Sequence, residues 1–494
     1  MAYDNPVIVV TFVLYLLFMM GVGAFFYRRT RNLSDYILGG RKVNYWVTSL
    51  SAQASDMSGW LLMGLPGYAY LAGLEAVWIA LGLAVGTWVN WKFVARRLRV
   101  YTELAGDAIT LPDYFENRFD DHSRILRIVS SVFILVFFLI YTSSGFVAGA
   151  KLFSSVFGLP YQTGLFIGVV VIIGYTFLGG FMAVSWTDFF QGVLMFFAVS
   201  IVPVIGLRLS GGLEETIATV RDMNPELLRA LTTTDGAALG GIAVVSLLAW
   251  GLGYFGQPHI LARFMGIRSA DEIAPARRIA TVWVVVSLAM AVVIGLVGRA
   301  GLPADAVAAD SERVFIILID AVVPPLLAGL FLSAILAAIM STADSQLLVT
   351  SSALTEDLYA VLLRNKASQT ELVWISRISV VVVAVIAMLI AFDPDSSVLG
   401  LVSYAWAGFG ATFGPIVILS LFWRRMTRNG AVAGLLAGGI TVIAWKNLSG
   451  GIFDLYEIVP GFLFGLIAIV AASLAGKKPP EELTALFDRV DGQG

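Results

Sequence analysis

Apolar runs of 18 or more residues recur along almost the whole chain and are separated by short polar segments. A run of that length with few charges can cross a bilayer as a helix. The pattern predicts thirteen membrane-spanning helices, at about residues 6–27, 43–70, 74–95, 125–153, 161–179, 187–209, 238–258, 279–299, 324–351, 373–392, 398–423, 430–447 and 458–476. The expected fold class is therefore an all-α polytopic membrane protein.

The second apolar run contains a polar stretch that a plain membrane anchor would lack. Residues 51–66 read SAQASDMSGWLLMGLP, with a carboxylate at Asp56 and helix-breaking residues at Gly59 and Pro66. A broken helix at membrane depth survives only where its free backbone groups are enclosed by protein or hold a ligand. An ionisable residue at that depth also indicates function. We therefore expect a binding site here.

Two predicted spans are interrupted near their middles, the second between Asp56 and Gly59 and the seventh within WGLGYFGQP at 250–258. A single interruption would be ambiguous, because membrane helices tolerate Gly and Pro. Two at corresponding positions, each opening a group of five spans, favour an inverted-topology repeat with a midplane site. The predicted units are an extra N-terminal helix and cytoplasmic loop (1–42), a first five-helix repeat (43–209), an outer loop (210–237), a second inverted repeat (238–423), two additional helices (424–476) and a cytoplasmic tail (477–494) that we expect to be solvated.

Composition narrows the function classes. Of 494 residues, 58% are hydrophobic and 13% charged, and the net charge of −2 suggests neither a nucleic acid nor another polyanionic partner. The chain has no Cys and two His, which argues against disulfides, thiolate metal sites and His-based triads. With the N-terminus outside and the C-terminus in the cytoplasm, 25 of the 32 basic residues fall on the inner side, as the positive-inside rule requires.

Five collinear stretches resemble one transporter family. SDMSGW (55–60), YTFLGGFMAVSWTDFFQG (175–192), WGLGYFGQPHILARFMGIRS (250–269), IMSTADSQLL (339–348) and SYAWAGFGATFGP (403–415) are similar to motifs of the sodium/solute symporter family, most of all to its bacterial proline-transporting members. The resemblance covers about residues 6–476. It implies the LeuT-type inverted five-plus-five repeat, with one extra helix before it and extra helices after it, in the cell inner membrane.

The resemblance also implies a sodium site. Its ligands would be the carbonyls of Ala54, Met57 and Ala338 with the hydroxyls of Ser341 and Thr342. An interrupted helix offers carbonyls at its negative C-terminal end, and a neutral shell suits an ion that must leave again. The alternative for the two hydroxyls is the common bond back to the carbonyl one helical turn earlier.

Four further residues are candidates for sodium coupling. Asp56 is the buried carboxylate nearest the site and would orient the broken segment or add negative potential. Asp188 and Ser345 match positions that form a second sodium site in some relatives, but Asp344 replaces a small hydroxyl residue there, so we expect one sodium per substrate. Asp188 also fits a carboxylate at the start of the sixth span. The resemblance implies a role for Arg41 in cytoplasmic sodium release, but a positive-inside anchor explains an arginine there equally well.

The substrate is expected beside the ion, between the two interrupted helices. Its cavity would be walled by aromatic residues, with backbone N–H groups at the first break for a carboxylate and freed carbonyls at the second for an ammonium. The aromatic spacing alone also fits ordinary packing residues. The predicted substrate-binding residues are Ser58, Gly59, Trp60, Tyr141, Trp250, Tyr254 and Pro258.

Together with the resemblance, these observations predict sodium-coupled secondary active uptake of L-proline by alternating access, with Na⁺ as the coupling ion and no other cofactor. Another solute of the same family, such as a neutral metabolite, a sugar or a vitamin, stays open. A membrane sensor is disfavoured because only a short polar tail follows the last span. A passive channel would not need a site open to one side at a time. An enzyme is disfavoured because no nucleophile–base pair or metal-ligand cluster is recognisable.

Overall fold

The computed structural model describes residues 5–27, 33–364 and 367–492, and the regular secondary structure in this part of the chain is helical apart from two isolated bridge pairs. Residues 28–32 of the predicted first inner loop lie outside the described residues. The long helices are numbered in chain order. They are α1 (Pro6–Tyr27), α2 (Tyr45–Gly59 with Trp60–Gly64 and Leu65–Ala72), α3 (Val77–Val89 with Asn90–Val94 and Ala95–Leu104), α4 (Ile125–Phe157), α5 and α6 (the two arms of Tyr161–Gly206), α7 (Gly241–Leu248 with Ala249–Gly256 and Pro258–Gly266), α8 (Ile273–Gly301), α9 (Pro325–Ser352 with Ala353–Leu363), α10 (Gln369–Ile390), α11 (Val398–Phe422), α12 (Arg428–Trp445) and α13 (Ile458–Ala475).

Nine stretches within the described ranges are long and apolar enough to cross a membrane. One of them, Tyr45–Leu104, has 60 residues. As one helix it would be about 90 Å long, three times the hydrocarbon thickness, so it contains two spans. The chain turns between α2 and α3 at Gly73, whose φ is +65°. A Cβ there would lie 2.1 Å from the Leu227 carbonyl oxygen, which explains the glycine.

The boundary between α5 and α6 differs from the prediction. The sequence suggested an inner loop at 179–187, but helix continues on both sides of a single break at Gly180, where φ is +65° and ψ is −179°. Glycine reaches this conformation without strain, so one residue replaces a loop. Asp188 consequently lies inside α6, and the prediction that it starts the sixth span is wrong.

The middle of α7 packs backbone to backbone against its neighbours. A Cβ on Gly251 would lie 2.2 Å from the Gly82 carbonyl oxygen of α3, and one on Gly256 would lie 2.2 Å from that of Phe409 in α11. The segment Ala249–Gly256 has 3₁₀ geometry and is followed by extended Gln257. Glycine therefore lets the interrupted helix sit in the core rather than at the lipid.

Short helices cover the two ends of the bundle. Leu213–Met223 lies in the predicted outer loop, Ala304–Val307 and Val314–Val322 lie between α8 and α9, and Leu111–Phe119 lies between α3 and α4. Thr110 caps this last helix by accepting a hydrogen bond from the Asp113 N–H.

The C-terminal tail corrects another prediction. Residues Glu481–Asp491 form a helix that docks on the ends of α3 and α11, whereas the sequence suggested a solvated tail. Phe487 is 5% exposed and packs its ring 6.4 Å from that of Tyr101. Arg424 makes two hydrogen bonds of 2.8 Å to Asp488. The apolar face of this helix consists of Phe487 and Val490 and is too short to be recognised by hydropathy, but both side chains are buried.

Candidate functional site

The first arm of α2 ends at Ser58, where the predicted break is found. Ser58 has φ +34° and ψ −168° inside an otherwise helical run. Its hydroxyl oxygen accepts a hydrogen bond from the Trp60 N–H (3.2 Å), and the same N–H lies at the Met57 carbonyl. A serine with positive φ is strained, and such strain persists where surrounding structure holds it, often at functional sites.

Four of the five predicted sodium ligands meet between α2 and α9. The Ser341 hydroxyl donates to the carbonyl oxygens of Ala54 (2.8 Å) and Ala338 (3.2 Å). The Thr342 hydroxyl lies 3.4 Å from the same Ala54 oxygen. All of these residues are buried. The geometry assembles neutral oxygens at the C-terminal end of a half-helix, which suits a small monovalent cation. Met57 is buried one turn away, and its carbonyl faces the Trp60 N–H.

Asp56 links both interrupted helices and α4. Its Oδ2 accepts a 2.7 Å hydrogen bond from the Tyr254 hydroxyl of α7, and its backbone oxygen accepts one of 3.2 Å from the Tyr141 hydroxyl of α4. Its Oδ1 has no hydrogen-bond partner among the described residues, and the side chain is fully buried. A buried carboxylate oxygen without a donor is costly, so this atom favours a nearby cation or polar ligand.

An aromatic wall lies beside Asp56. The ring centroids of Trp60 and Trp250 are 5.9 Å apart, and Trp250 stacks on Tyr456 at 5.6 Å. Tyr254 meets Trp406 edge to face at 5.1 Å. The structure thus brings together the predicted residues Trp60, Tyr141, Trp250 and Tyr254, next to Ser58 and Gly59. It places Pro258 on the other side of the α7 break, where it lines a small separate cavity.

Tyr456 and Trp406 are the wall residues that the sequence did not indicate. Tyr456 precedes α13, outside both repeats, and donates a 2.6 Å hydrogen bond to the Ser403 carbonyl. Trp406 lies in the SYAWAGFGATFGP motif and donates to the Trp250 carbonyl (2.7 Å). Only that motif offered a signal, because no helical periodicity connects positions so far apart in the chain.

Asp188 and Ser345 meet at a buried arginine. Asp188 Oδ2 accepts hydrogen bonds from the Ser51 hydroxyl (2.7 Å) and from Arg263 Nη2 (3.0 Å), and the same nitrogen donates to the Ser345 hydroxyl. Arg263 is 1% exposed. Arg263 is one of the 25 basic residues assigned to the inner side from the sequence, but its guanidinium pairs with Asp188 inside the protein. The guanidinium thus lies between Asp188 and Ser345, the two residues named as candidates for a second sodium site.

Arg41 joins three segments at one end of the bundle. It donates to Asp107 (2.8 Å), to the Ala108 carbonyl (2.9 Å) and to the Met265 carbonyl (2.7 Å) at the end of α7. The pKa of Arg41 is lowered from its ordinary value. Burial is the largest cause, and the hydrogen bond to Asp107 offsets part of its effect. The residue is therefore a connector between α2, α3 and α7 and does not touch the sodium ligands.

The interrupted helices and the oxygen cluster between them define a multi-pass membrane symporter. The family model described as "Sodium:solute symporter family" matches residues 36–438, and the chain belongs to this family. It is 53% identical to the sodium/proline symporter of Salmonella typhimurium, across 99% of this chain and 97% of the relative. It is 50% identical to the high-affinity proline transporter PutP of Bacillus subtilis, across 95% of this chain and 98% of the relative.

Solved structures show the same fold. A sodium-coupled sialic acid symporter, described in a substrate-bound outward-open state, superposes with a TM-score of 0.79 at 20% identity over 96% of this chain and 99% of the other. A nucleobase–cation symporter in a closed conformation gives 0.57 at 14% identity over 93% and 99%. The fold is the LeuT-type inverted five-plus-five repeat, with α1 before it and α12 and α13 after it. The repeat limits 43–209 and 238–423 stay a prediction.

Proposed function

We propose that this protein takes up L-proline together with sodium by alternating access. The observation that carries the proposal is the pairing of α2 and α7, which are both interrupted and are joined next to their interruptions by the Tyr254–Asp56 hydrogen bond. Paired interruptions of this kind place ion and substrate together near the bilayer midplane. The names of the relatives, at 50% identity or more over nearly the whole length, support proline as the solute.

Sodium occupies the space among the oxygens of Ala54, Met57, Ala338, Ser341 and Thr342. Binding there replaces the direct hydroxyl-to-carbonyl hydrogen bonds between α9 and α2 with cation–oxygen contacts, and so couples the ion to the position of the first arm of α2. The carboxylate of Asp56, the residue that precedes Met57, adds negative electrostatic potential at this sodium site. One sodium accompanies each substrate, because the Arg263 guanidinium already compensates Asp188 and Ser345.

The substrate lies against the aromatic wall. Its pyrrolidine ring and secondary ammonium suit the faces of Trp60, Tyr141 and Trp250, through apolar contact and cation–π attraction. Its carboxylate is met by backbone N–H groups near Ser58 and Gly59, where the second arm of α2 begins with positive dipole. Sodium and substrate then stabilise the same arrangement of α2, which is the coupling that symport requires.

The protein lies in the bacterial inner membrane with the N-terminus outside and the C-terminus in the cytoplasm. The supporting observation is the concentration of 25 of 32 basic residues on the inner side of that arrangement. The docked C-terminal helix and the Arg41 connector then mark the cytoplasmic end.

Uptake by purified protein in proteoliposomes tests the function. An inward sodium gradient is expected to drive labelled proline above its external concentration, and an equal potassium gradient is not. Excess unlabelled proline competes, whereas a sugar does not. Absence of sodium-driven proline accumulation, with another solute of the family accumulating instead, would overturn the substrate assignment and keep the symporter.

A further inference from the structure

Tyr456 joins the aromatic wall from a segment that follows both predicted repeats. It lies between the short helix Gly451–Asp454 and the start of α13, whereas Trp60, Trp250 and Trp406 belong to α2, α7 and α11. The paired interrupted helices that place ion and substrate belong to the repeats. The contacts of Tyr456 therefore indicate what a segment outside the repeats adds to the site.

Three contacts hold Tyr456 in place. Its backbone N–H donates a 2.9 Å hydrogen bond to the Ser246 hydroxyl in the first arm of α7. Its own hydroxyl donates one of 2.6 Å to the Ser403 carbonyl in α11. Its ring stacks on that of Trp250, with the centroids 5.6 Å apart and the planes at 30°. Because the residue is anchored to two helices, its ring is a fixed support for Trp250.

Trp250 connects this support with the first helix break. Its ring centroid lies 5.9 Å from that of Trp60, and both side chains are buried. Its carbonyl oxygen accepts a 2.7 Å hydrogen bond from the Trp406 indole, which fixes the backbone of Trp250 but not the plane of its ring. The plane of the ring is set by the aromatic side chains in contact with it, Tyr456 and Trp60.

Trp60 supplies an independent sign of a ligand at this pair of rings. Its indole Nε1 is buried and has no hydrogen-bond partner in the part of the chain that the structure describes. A buried N–H without an acceptor is unfavourable, so this donor favours a polar group of a ligand beside it. The Trp250 ring thus borders a space that a ligand is expected to enter.

A shorter side chain at position 456 would release the Trp250 ring. An aromatic pair favours its geometry by about two- to tenfold beyond the effect of the apolar area that it buries. Without this pair, the indole of Trp250 can turn away from Trp60 into the space that the tyrosine ring occupies, because the hydrogen bond of the Trp250 carbonyl does not restrain the side chain. The space against the aromatic wall then becomes wider.

We propose that Tyr456 is a positioning residue that limits the size of the ring the transport site accepts. It acts through Trp250 and does not itself touch the substrate. With tyrosine at this position, the indole stays beside Trp60 and the wall fits a five-membered ring. With a smaller side chain, the indole retreats and the site admits a larger cyclic amino acid. The inference rests on the proposed function and adds the segment before α13 to the parts of the chain that determine specificity.

Sodium-driven uptake of proline and of pipecolate, its homologue with a six-membered ring, tests the inference in proteoliposomes. A methylene group in a close-fitting apolar pocket changes kcat/KM by roughly 10–200-fold, so the ratio of the two kcat/KM values reports the width of the site. We expect Tyr456→Leu to lower the preference for proline by about two- to tenfold, through a higher KM for proline. Tyr456→Phe keeps the stacked ring and should retain the parent preference within about twofold.

Phe453→Leu is the matched control, because Phe453 lies in the same connection between α12 and α13 but packs its ring against Trp445, at 4.9 Å. It should leave the preference unchanged. The ratio does not depend on the amount of folded protein, and Tyr456→His, with a smaller flat ring, is measured beside Tyr456→Leu and should lower the preference less. An unchanged ratio in both of these variants, or an equal change in Phe453→Leu or in Tyr456→Phe, overturns the inference.

A double variant tests whether Tyr456 acts through the indole. In a Trp250→Leu background, Tyr456→Leu should change the ratio by less than about twofold, since the ring that it positions is already absent. A full additional effect in that background would show that Tyr456 acts by another route and overturn the inference. A wild-type protein without sodium-driven proline uptake would instead overturn the proposed function, and that result is read before any variant.

Discussion

Two hydroxyls on α9 determine how tightly the first arm of α2 is held. Ser341 and Thr342 both approach the Ala54 carbonyl, so hydrogen bonds within the protein connect α9 with this arm. A cation between these oxygens replaces hydrogen bonds that are each worth about 0.5–1.5 kcal/mol net. In the proposed site, sodium binding is therefore an exchange of contacts of similar strength, for which we expect a modest affinity and an exchangeable ion.

Ser341→Ala is expected to raise the external sodium concentration for half-maximal proline uptake by about tenfold, because one of few neutral ligands is removed. The measurement is initial uptake against sodium concentration at saturating proline. Ser333→Ala is the matched control, because Ser333 is equally buried on the same helix but donates only to the Gly329 carbonyl. An equal sodium dependence in the two variants would remove Ser341 from the site.

Tyr254→Phe is expected to weaken both proline and sodium apparent affinities by about tenfold, since it deprives the buried Asp56 carboxylate of its donor. Uptake kinetics with each ligand varied at fixed concentration of the other give the two values. Tyr161→Phe, which removes a hydroxyl bonded to the Ala391 carbonyl far from the site, should change neither. A change confined to maximal velocity would contradict a role for the Tyr254–Asp56 bond in binding.

Residues next to the helix breaks were predictable from the sequence, whereas their partners were not. Asp56 and Ser58 are evident because polar residues inside an apolar run need a reason. Ser341 and Thr342 needed the family resemblance, because a hydroxyl in a membrane helix usually bonds within its own helix. Arg263 was misassigned because an arginine near a helix end also fits the positive-inside rule. Its partner Asp188 lies 75 residues earlier.

The interrupted middle of α7 works as an element only because its glycines admit close neighbours. The 3₁₀ segment Ala249–Gly256 presents Gly253 to the Trp406 ring, where a Cβ would lie 1.9 Å from the indole Nε1. That ring also supports Tyr254 and donates to the Trp250 carbonyl. The aromatic wall and the helix interruption are thus one packing unit of α7 and α11.

Gly253→Ala is expected to destabilise the protein by about 1–3 kcal/mol through overpacking and to lower substrate affinity by shifting Trp406. Thermal stability in detergent and proline binding are the two measurements. Gly241→Ala, at the start of the same helix, has nothing within 4 Å of the added Cβ and should be neutral. Equal behaviour of the two variants would contradict the packing role.

The limits of the helices were harder to predict from hydropathy than the helices themselves. The thirteen spans follow from hydropathy, but the single-residue break at Gly180 does not, since one glycine gives no polar gap to detect. The helix Glu481–Asp491 was missed for a different reason. Its buried face consists of Phe487 and Val490, and so short an amphipathic pattern in a charged tail resembles a solvated segment.

At the scale of the molecule, the ends of the two interrupted helices are joined. Val43, just before α2, pairs with Ile267, just after α7, and Arg268 N–H donates to the Val43 carbonyl (2.8 Å). Arg41 adds its bond to the Met265 carbonyl. The first arm of α2 and the second arm of α7 are therefore expected to move together. Arg263 is the charged contact that holds this pair to α6 and α9.

In the proposed orientation, the buried Asp188–Arg263 pair holds the joined α2 and α7 to α6 on the cytoplasmic side. Breaking a buried pair by removing one partner costs about 3–5 kcal/mol, because the remaining charge is left unpaired. Movement of the α2–α7 unit away from α6 would hydrate Arg263 and relieve that cost. Asp188→Asn should therefore shift the population towards a cytoplasm-open state, by about tenfold for each 1.4 kcal/mol of the difference.

The chain has no cysteine, so a single Val349→Cys, beside the cavity under α7, reports that opening through its labelling rate by a membrane-permeant thiol reagent. We expect Asp188→Asn to speed labelling at least about tenfold, and Asp188→Asn with Arg263→Gln to return it towards the parent rate because no buried charge is left unpaired. Asp271→Asn breaks the exposed pair with Arg96 and should have no effect, since exposed pairs contribute little. Slow labelling in Asp188→Asn, or fast labelling that persists in the double variant, would show that charge pairing does not hold the cytoplasmic side closed.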